Sequence, residues 1–259
     1  MDPSYEVLQQ QLTAFDAIAV AFSGGVDSSF LLAAARDALG AERVLALTAV
    51  TPYMVRQEIG DAIAVAAELG VRHELVEMSM PEGLESNPPD RCYRCKYAMY
   101  RLLQGRAAEL GFRTLLDASN IDDAESARPG LQAMHELGIR APLIACGMDK
   151  ETVRSLSRQL DLPTWRKPTN ACLLTRLRYN VRVSMERLQQ IEEAERFLSA
   201  RGYSSVRVRS HDDLARIEVA PEQREQLLQD AEAITAGICE LGFRYVALDL
   251  LGYQFGSMT

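Results

Sequence analysis

One stretch of the sequence constrains the fold of this chain most. In it, an apolar run passes through a glycine-rich turn directly into a helical pattern. Residues 16–22 read D-A-I-A-V-A-F, and residues 23–28 read S-G-G-V-D-S. The two glycines permit backbone angles that let successive N–H groups converge on an anion. The two serine hydroxyls add donors, and the helix that follows presents its positive end to the same point. The stretch therefore predicts a phosphate-binding loop.

The type of loop follows from what S-G-G-V-D-S contains and lacks. It has neither the Gly-Lys-Ser/Thr ending of a Walker loop nor the G-x-G-x-x-G of a Rossmann turn. A carboxylate repels phosphate unless a cation lies between them, so Asp27 predicts Mg²⁺ chelated by a nucleotide. The loop resembles the PP-loop of the ATP pyrophosphatase superfamily, which implies ATP cleavage between the α- and β-phosphates. The implied ATP- and Mg²⁺-binding residues are Ser23, Gly24, Gly25, Asp27 and Ser28; the alternative is a plain Gly-Ser turn in which Asp27 caps the helix.

The composition describes an ordinary soluble chain. Its 259 residues are 47% hydrophobic and 25% charged. No apolar stretch approaches the ~20 residues of a membrane span, and the polar start M-D-P-S-Y-E is unlike a signal peptide. We therefore expect a cytoplasmic protein with no membrane partner. A net charge of −8 argues against a nucleic-acid partner, whose phosphates would be repelled.

Four strand-like runs alternate with helical patterns through the first half of the chain. This alternation predicts an α/β fold with a doubly wound parallel sheet of the PP-loop ATP pyrophosphatase type. Ligands of such sheets bind beyond the carboxyl ends of the strands, where the PP-loop, Thr48 and the segment 117–123 would emerge. The predicted strands are 16–22, 44–50, 73–78 and 113–118, and the predicted helices are 4–15, 29–39, 54–69, 93–110 and, further along, 149–160.

A second, smaller α+β domain is predicted from about residue 176, where the pattern changes. Two strands joined by only a few residues form a hairpin there, which the parallel half lacks. We expect residues 1–175 to be a PP-loop ATP pyrophosphatase domain with cysteine loops, and residues 176–259 to bind substrate and mediate oligomerisation. The predicted elements of the second domain are helix 184–201, strands 205–210 and 213–220, helix 221–241 and strand 243–250.

Three of the five cysteines lie in basic loops. Cys92 and Cys95 fall in R-C-Y-R-C-K where a loop enters a helix, and Cys172 falls in K-P-T-N-A-C-L-L-T-R. Nearby cations favour thiolate, the form that attacks electrophiles and binds metal. For Cys92 and Cys95 the alternatives are a zinc pair, a redox pair or simple loop residues. Cys146 and Cys239 are expected to be buried packing residues.

Several motifs together resemble the LarE family, and the similarity runs from about residue 12 to the C-terminus. Members are ATP-dependent sulfur transferases that convert pyridinium-3,5-biscarboxylic acid mononucleotide toward its bis-thiocarboxylic form, on the way to the nickel-pincer nucleotide of lactate racemase. The resemblance implies adenylation of a pyridinium carboxylate, attack by sulfur and loss of AMP. The motifs are the PP-loop, T-P-Y (51–53), R-C-Y-R-C-K (91–96), D-A-S-N-I-D-D (117–123) with R-P-G (128–130), K-P-T-N-A-C-L-L-T-R (167–176), and V-R-V-R-S-H (206–211) with A-R-I-E-V (215–219).

The resemblance also implies roles for the cysteines. Cys172 matches the sulfur-donor cysteine; members with that cysteine alone surrender its sulfur, which leaves dehydroalanine. In members that also carry C-x-x-C, three cysteines hold a [4Fe–4S] cluster whose fourth iron can carry sulfide. Cys92, Cys95 and Cys172 thus imply the cluster type, with sulfide or another sulfur donor as partner. Thr48 and Arg128 are implied nucleotide-binding residues, and the implied assembly is a homohexamer.

Arg207 and Arg209 share one face of a predicted strand, because residues two apart in a strand point the same way. One interpretation is the solvated outer face of a sheet. The other is that these guanidinium groups, with Arg176 near the Cys172 loop, bind the anionic groups of the pyridinium nucleotide. The resemblance favours substrate binding, at a site where domains or subunits meet.

Other residues have two interpretations each. Asp117, Asn120 and Asp122 could hold Mg²⁺ or the ribose, although Asp117 could instead cap a helix. Glu195 matches an acidic position of the family, but its place on a helix surface favours a solvated side chain. Trp165 could stack on a pyridinium ring or simply pack.

Three rival functions stay open at this point. A PP-loop tRNA thiolase would need a basic surface, whereas the chain has 36 acidic and 28 basic residues. An amidating PP-loop ligase of the NAD-synthetase kind would use ammonia and would leave the three loop cysteines unexplained. A nucleotide-binding sensor would bind ATP without turnover.

Overall fold

The chain divides into two compact units in a computed structural model that describes residues 2–125, 129–168 and 170–253. The first unit comprises the described residues of Met1–Pro81 and Asp90–Thr169, and the second those of Glu82–Pro89 and Asn170–Thr259. The Cys172 segment, which the sequence analysis assigned to the first domain, thus lies in the second unit. None of the helices in these ranges is long and apolar enough to cross a bilayer.

The first unit is built on a parallel sheet with the strand order β3-β2-β1-β4. The predicted α/β fold with a doubly wound parallel sheet is confirmed. The last strand is shorter than the predicted 113–118, because the chain leaves β1 after two paired residues and the N–H of Asp117 bonds the carbonyl of Arg140 instead. The strands are β1 (Ile18–Ala21), β2 (Val44–Val50), β3 (Arg72–Glu77) and β4 (Leu115–Leu116).

Both faces of the sheet are covered by apolar side chains, which explains the continuous apolar runs of β1 and β2. Alternate residues enter opposite cores: Val20 and Ala46 pack into one, and Ala19 and Leu45 into the other. The helices of this unit are α1 (Pro3–Thr13), α2 (Val26–Leu39), α3 (Arg56–Glu68), α4 (Arg91–Glu109), α5 (Ile121–Glu125), α6 (Pro129–Glu136), α7 (Pro142–Ala145) and α8 (Lys150–Gln159).

Helix α2 begins three residues before the predicted start at residue 29. The last residues of S-G-G-V-D-S are therefore not loop but the first helical turn, so Asp27 and Ser28 project from the helix terminus itself. Helices α5, α6 and α7 were not predicted from the sequence, because each is too short for an apolar period to show.

The second unit has a three-stranded sheet in the order β5-β6-β7, in which β5 and β6 form the predicted antiparallel hairpin and β7 runs parallel to β6. The single helix predicted over 221–241 is wrong. The helix breaks at Asp230, whose carboxylate accepts a hydrogen bond of 2.6 Å from the hydroxyl of Tyr203. The elements are α9 (Met185–Ser199), β5 (Arg207–His211), β6 (Leu214–Glu218), α10 (Arg224–Gln229), α11 (Ala231–Glu240) and β7 (Tyr245–Leu248).

Asn87 fixes the segment 82–89 within the second unit. Its buried side-chain amide donates to the carbonyls of Leu174, Leu177 and Arg178 at 3.2, 3.2 and 2.8 Å. Its φ of 48° lies in the left-handed region, which Asn tolerates better than most residues. Asn87 therefore forms the backbone turn, and its side chain also holds the chain that follows Cys172.

We expect Asn87→Ala to lower the free energy of unfolding by about 2–4 kcal/mol, because buried carbonyls lose their donor and the alanine must adopt positive φ. Asn180→Ala is the matched control, since Asn180 also has positive φ, at 57°, but is exposed. It should lose only about 1 kcal/mol from backbone strain. Urea unfolding followed by circular dichroism measures both variants. Equal losses of unfolding free energy in the two variants would show that the side-chain amide of Asn87 contributes nothing to stability.

Candidate nucleotide site and cysteine loop

The PP-loop folds back on itself through its two serines. The Oγ atoms of Ser23 and Ser28 lie 3.0 Å apart, and Ser28 Oγ also accepts from the Ser23 N–H at 3.3 Å. Gly25 is the N-cap of α2 and has no side chain to accept from the first-turn N–H groups. An anion can fill that role, since these groups and the helix dipole both attract negative charge.

Gly24 cannot be replaced by a larger residue. Its φ is 66°, and a Cβ atom at this position would lie 2.7 Å from the Cα of Ala62 in α3. The loop therefore packs directly against a helix backbone, which fixes its path without any side chain.

The strand order brings a second polar segment to the PP-loop. The chain runs from β1 outward through β2 to β3 and then returns to the other side of β1 as β4, so the residues after β1 and after β4 share one edge. Asn120, after β4, donates from Nδ2 to Asp27 Oδ1 at 3.1 Å. Its Oδ1 accepts from the Asp123 N–H at 3.2 Å, which fixes the orientation of the amide.

Two lysines that the sequence analysis did not select also reach the loop. Lys150, the first residue of α8, forms an ion pair through Nζ with Asp27 Oδ2. Lys167 donates from Nζ to the carbonyl of Gly24 at 3.0 Å and pairs with Asp61 at 2.7 Å. Burial opposes the charged form of Asp61, but the hydrogen bonds from Lys167 and Gln57 outweigh it and lower the pKa of that carboxyl.

Arg154 of α8 holds the turn that carries Lys167. It donates to the carbonyls of Trp165 and Lys167 at 2.6 and 3.0 Å. The Trp165 ring in turn contacts the guanidinium groups of Arg158 and Arg166, with centroid distances of 5.2 and 4.2 Å. Stacking of Trp165 on a pyridinium ring stays a prediction.

Thr48 is buried and ties β2 to the residue before the PP-loop. Its hydroxyl donates to the carbonyl of Phe22 at 2.6 Å and lies 2.8 Å from His73 Nε2. Burial lowers the pKa of His73, so the ring is neutral at pH 7. Because the single hydroxyl hydrogen is engaged, Nε2–H of His73 must be the donor to Thr48. A direct contact between Thr48 and the nucleotide stays a prediction.

Asp117 is buried within a hydrogen-bond network. It accepts from the Tyr100 hydroxyl at 2.7 Å and the Ser119 N–H at 2.8 Å, and Lys96 Nζ lies 3.5 Å away. Burial opposes ionisation, but the Lys96 charge and these hydrogen bonds outweigh it and lower the pKa of Asp117. The Asp117 carboxylate is therefore charged and held in place directly after β4. Its role with Mg²⁺ or ribose stays a prediction, as does the role of Asp122.

Cys92 and Cys95 lie near the start of α4, one helical turn apart, and residues three apart share a face. The Sγ of Cys95 lies 3.0 Å from the hydroxyl of the buried Tyr53, so T-P-Y and C-x-x-C meet in the fold. The charge of Lys96 favours the Cys95 thiolate, as expected of a nearby cation, but it is not the largest effect. Burial raises the pKa of Cys95 and outweighs the Tyr53 hydrogen bond and the Lys96 charge.

Cys172 is the N-cap of a 3₁₀ turn, Leu173–Arg176, in the second unit. Its carbonyl accepts from the N–H and the hydroxyl of Thr175 at 3.1 and 2.8 Å and from Arg176 Nη1 at 3.2 Å. All five cysteines are free thiols. The backbone around Cys172 is thus held by several donors.

Arg176 is 1% exposed and holds the Cys172 loop. It donates to both carboxylate oxygens of Glu195 at 2.9 and 3.0 Å and to the carbonyl of Ala171 at 2.7 Å. Glu195 also accepts from the Val208 N–H at 3.0 Å. The solvated interpretation of Glu195 is therefore wrong. For Arg176 the structure shows a positioning role, and its direct binding of an anion stays a prediction.

Arg207 and Arg209 are buried, so the solvated outer-face interpretation is wrong for both. Arg209 donates to both oxygens of Glu218 at 2.9 and 3.0 Å and to the carbonyl of Thr175 at 2.6 Å. Arg207 donates to Asn170 Oδ1 at 2.9 Å. Burial, with the like charge of Arg176, lowers the pKa of Arg207. Both side chains face the Cys172 loop; substrate binding by them stays a prediction.

Arg128, the implied nucleotide ligand, lies outside the described residues. Within the described ranges, no three His, Cys, Asp or Glu side chains are assembled as a metal-binding group.

Known proteins match this chain either over its first part or over its whole length. A family model described as NAD synthase matches residues 4–85, the segment with the PP-loop. An uncharacterised protein of Synechocystis sp. is 41% identical over 100% of this chain and 98% of its own length. A tRNA(Ile)-lysidine synthase of Burkholderia mallei is 33% identical, but over only 41% of this chain and 22% of its own length.

A pyridinium-3,5-bisthiocarboxylic acid mononucleotide synthase of Lactiplantibacillus plantarum matches both units. It is 34% identical over 93% of this chain and 88% of its own length. The match is therefore not confined to the segment with the PP-loop. This chain belongs to the LarE family of ATP-utilising PP-loop enzymes.

Proposed function

We propose that this protein is an ATP-dependent sulfur transferase that converts a carboxylate of pyridinium-3,5-biscarboxylic acid mononucleotide into a thiocarboxylate. One observation supports this most: the bisthiocarboxylic acid mononucleotide synthase aligns over 93% of the chain, whereas the NAD synthase match ends at residue 85. An amidating function would explain the PP-loop alone. It would leave Cys92, Cys95 and Cys172 unexplained.

The first step is adenylation in the first unit. A carboxylate oxygen of the substrate attacks the α-phosphorus, the bond to the β-phosphate breaks, and pyrophosphate leaves from the acyl-adenylate. The first-turn N–H groups of α2, with Ser23 and Ser28, suit the leaving pyrophosphate, and Lys150 and Lys167 add positive charge. Asp27 is the residue that would hold Mg²⁺, which neutralises phosphate charge when bound.

The second step is transfer of sulfur to the activated carbonyl. A sulfur nucleophile attacks the acyl carbon, a tetrahedral adduct forms, and the C–O bond to AMP breaks. If the sulfur is that of Cys172, the product is a thioester; loss of the Cα proton and cleavage of the Cβ–S bond then release thiocarboxylate and leave dehydroalanine. The Arg176–Glu195 pair keeps the loop of Cys172 in one conformation for this attack.

Cys92, Cys95 and Cys172 would hold a [4Fe–4S] cluster. The type of donor suits such a cluster, since all three residues are free thiols and a cubane with one open iron needs three thiolates. When bound, the cluster would supply sulfide at that iron, so that Cys172 need not be consumed; sulfide or another donor would replenish it. The chain's own part is to hold Cys92 and Cys95 on one helical turn and Cys172 at a fixed N-cap. We place this reaction in nickel-pincer nucleotide synthesis, in a homo-oligomer.

Asp27→Asn should reduce pyrophosphate release by at least about 10²-fold, because transition-state charge at the phosphates loses its cation partner. Ser28→Ala should reduce it as well. Asp37→Asn is the control, since Asp37 lies near the other end of α2. Release is measured with the pyridinium substrate and ATP. Release by Asp27→Asn at the rate of the wild type would refute the assignment of the loop.

Anaerobic reconstitution with iron and sulfide should give a brown protein that stays colourless when Cys92, Cys95 or Cys172 is replaced by Ala. Cys146→Ala and Cys239→Ala are the matched controls and should reconstitute fully. If the protein stays colourless in every case, the sacrificial route predicts a Cys172 lighter by one hydrogen sulfide after turnover, which mass spectrometry detects. Full sulfur transfer by Cys172→Ala would exclude both routes.

Glu195→Gln should impair sulfur transfer more than adenylation, because it leaves the buried Arg176 without its anion and loosens the Cys172 loop. We expect at least about tenfold less thiocarboxylate per pyrophosphate released, a loss of ~1.4 kcal/mol in the second step. Glu193→Gln on the same helix is the control, since the partner of Glu193 is the neutral Gln189. An unchanged product ratio in Glu195→Gln would show that the pair does not position Cys172.

A further inference from the structure

Both carboxylate oxygens of Asp27 are engaged in the structure. Oδ1 accepts from Asn120 Nδ2 at 3.1 Å, and Oδ2 forms the ion pair with Lys150. The two side chains of the pair are 22% and 26% exposed, so the carboxylate is only partly hydrated. Each oxygen keeps a further lone pair, but the ammonium on Oδ2 repels a second cation, so a divalent ion meets the full charge of Asp27 only when Lys150 moves away.

The two partners differ in how easily they can leave. Asn120 is 2% exposed, and its amide is fixed because Oδ1 accepts from the Asp123 N–H at 3.2 Å. Lys150 is more exposed, and its ammonium is carried by a flexible stem with four carbons. Lys150 is therefore the exchangeable partner.

The backbone of Lys150 stays in place when its side chain moves. Its N–H donates to Asp122 Oδ2 at 3.0 Å, and it follows Asp149, which caps α8 by accepting from the Thr152 N–H at 2.7 Å. The side chain can thus change its partner by rotation about its own bonds, while α8 remains seated.

We propose that Lys150 is a surrogate cation, which neutralises Asp27 in the nucleotide-free protein and is displaced when the divalent ion arrives with ATP. Once displaced, the ammonium is free to bind the phosphates that the ion accompanies. Positive charge at the loop thereby rises only when the polyphosphate is present. This inference rests on the proposed binding of Mg²⁺ at Asp27.

The test measures binding of Mn²⁺ alone, without nucleotide, by the amplitude of the free-ion signal in electron paramagnetic resonance. The wild-type protein should bind weakly at this site, because the ammonium competes for Asp27. Lys150→Met should bind at least about tenfold more tightly, since a unit charge within hydrogen-bond distance of the carboxylate is removed. Lys150→Gln is a second neutral variant with the same expectation, and Lys150→Arg should bind as weakly as the wild type.

Two further variants locate the ion. Lys167→Met removes a cation from the same loop that pairs with Asp61 instead, so it should not give the tenfold gain. In the double variant Lys150→Met/Asp27→Asn, the affinity for Mn²⁺ should not exceed that of the wild type. Wild-type affinity in both neutral variants, or a gain that persists in the double variant, would overturn the proposal. Because neither substrate nor ATP is present, these results are independent of whether the protein releases pyrophosphate, which tests the proposed function itself.

Discussion

Parallel pairing of β1 with β2 on one side and β4 on the other is the constraint on which the nucleotide site depends. Because the chain reverses direction across the sheet at this point, the first turn of α2 and the segment after β4 emerge at the same edge. The contact of Asn120 with Asp27 follows from this topology. Helix α8 begins beside the same edge, since its first residue, Lys150, reaches Asp27. Residues far apart in sequence thus converge on Asp27 in the first turn of α2.

Electrostatic compensation governs both parts of the site. A carboxylate in a phosphate-binding loop would repel the phosphates. Lys150 neutralises Asp27, and in our proposal a divalent ion replaces Lys150 when the nucleotide binds. In the second unit, buried Arg176 and Arg209 each pair with a carboxylate through two hydrogen bonds. Each then uses its remaining nitrogen to hold a carbonyl of the Cys172 loop. The ion pairs therefore do more than satisfy charge, because they position the loop.

Burial and the charge of Arg176 lower the pKa of Arg207, whereas the pKa of Arg176 is raised because Glu195 outweighs the effect of burial. Direct binding of substrate by either guanidinium group stays a prediction.

Local patterns predicted the fold and the PP-loop, and contacts distant in sequence explain what they missed. Strands β1 and β2 were recognisable because burial on both faces makes them continuously apolar. The start of α2 was placed too late, because a motif rich in glycine and serine looks like loop although its last residues form a helical turn. Lys150 and Lys167 lie more than a hundred residues from the loop, and no local pattern marks them. The capping Asp149 was the available signal, since it shows that α8 starts with its first side chains at the ligand edge.

The two halves of the chemistry are each held by contacts within their own unit. Asp27, Asn120, Lys150 and Lys167 all belong to the first unit, and the contacts that fix the Cys172 loop come from the second. In the proposed reaction, adenylation would depend on the first set of contacts and sulfur transfer on the second. The ratio of thiocarboxylate to pyrophosphate, rather than either yield alone, consequently reports on how the second unit positions its sulfur.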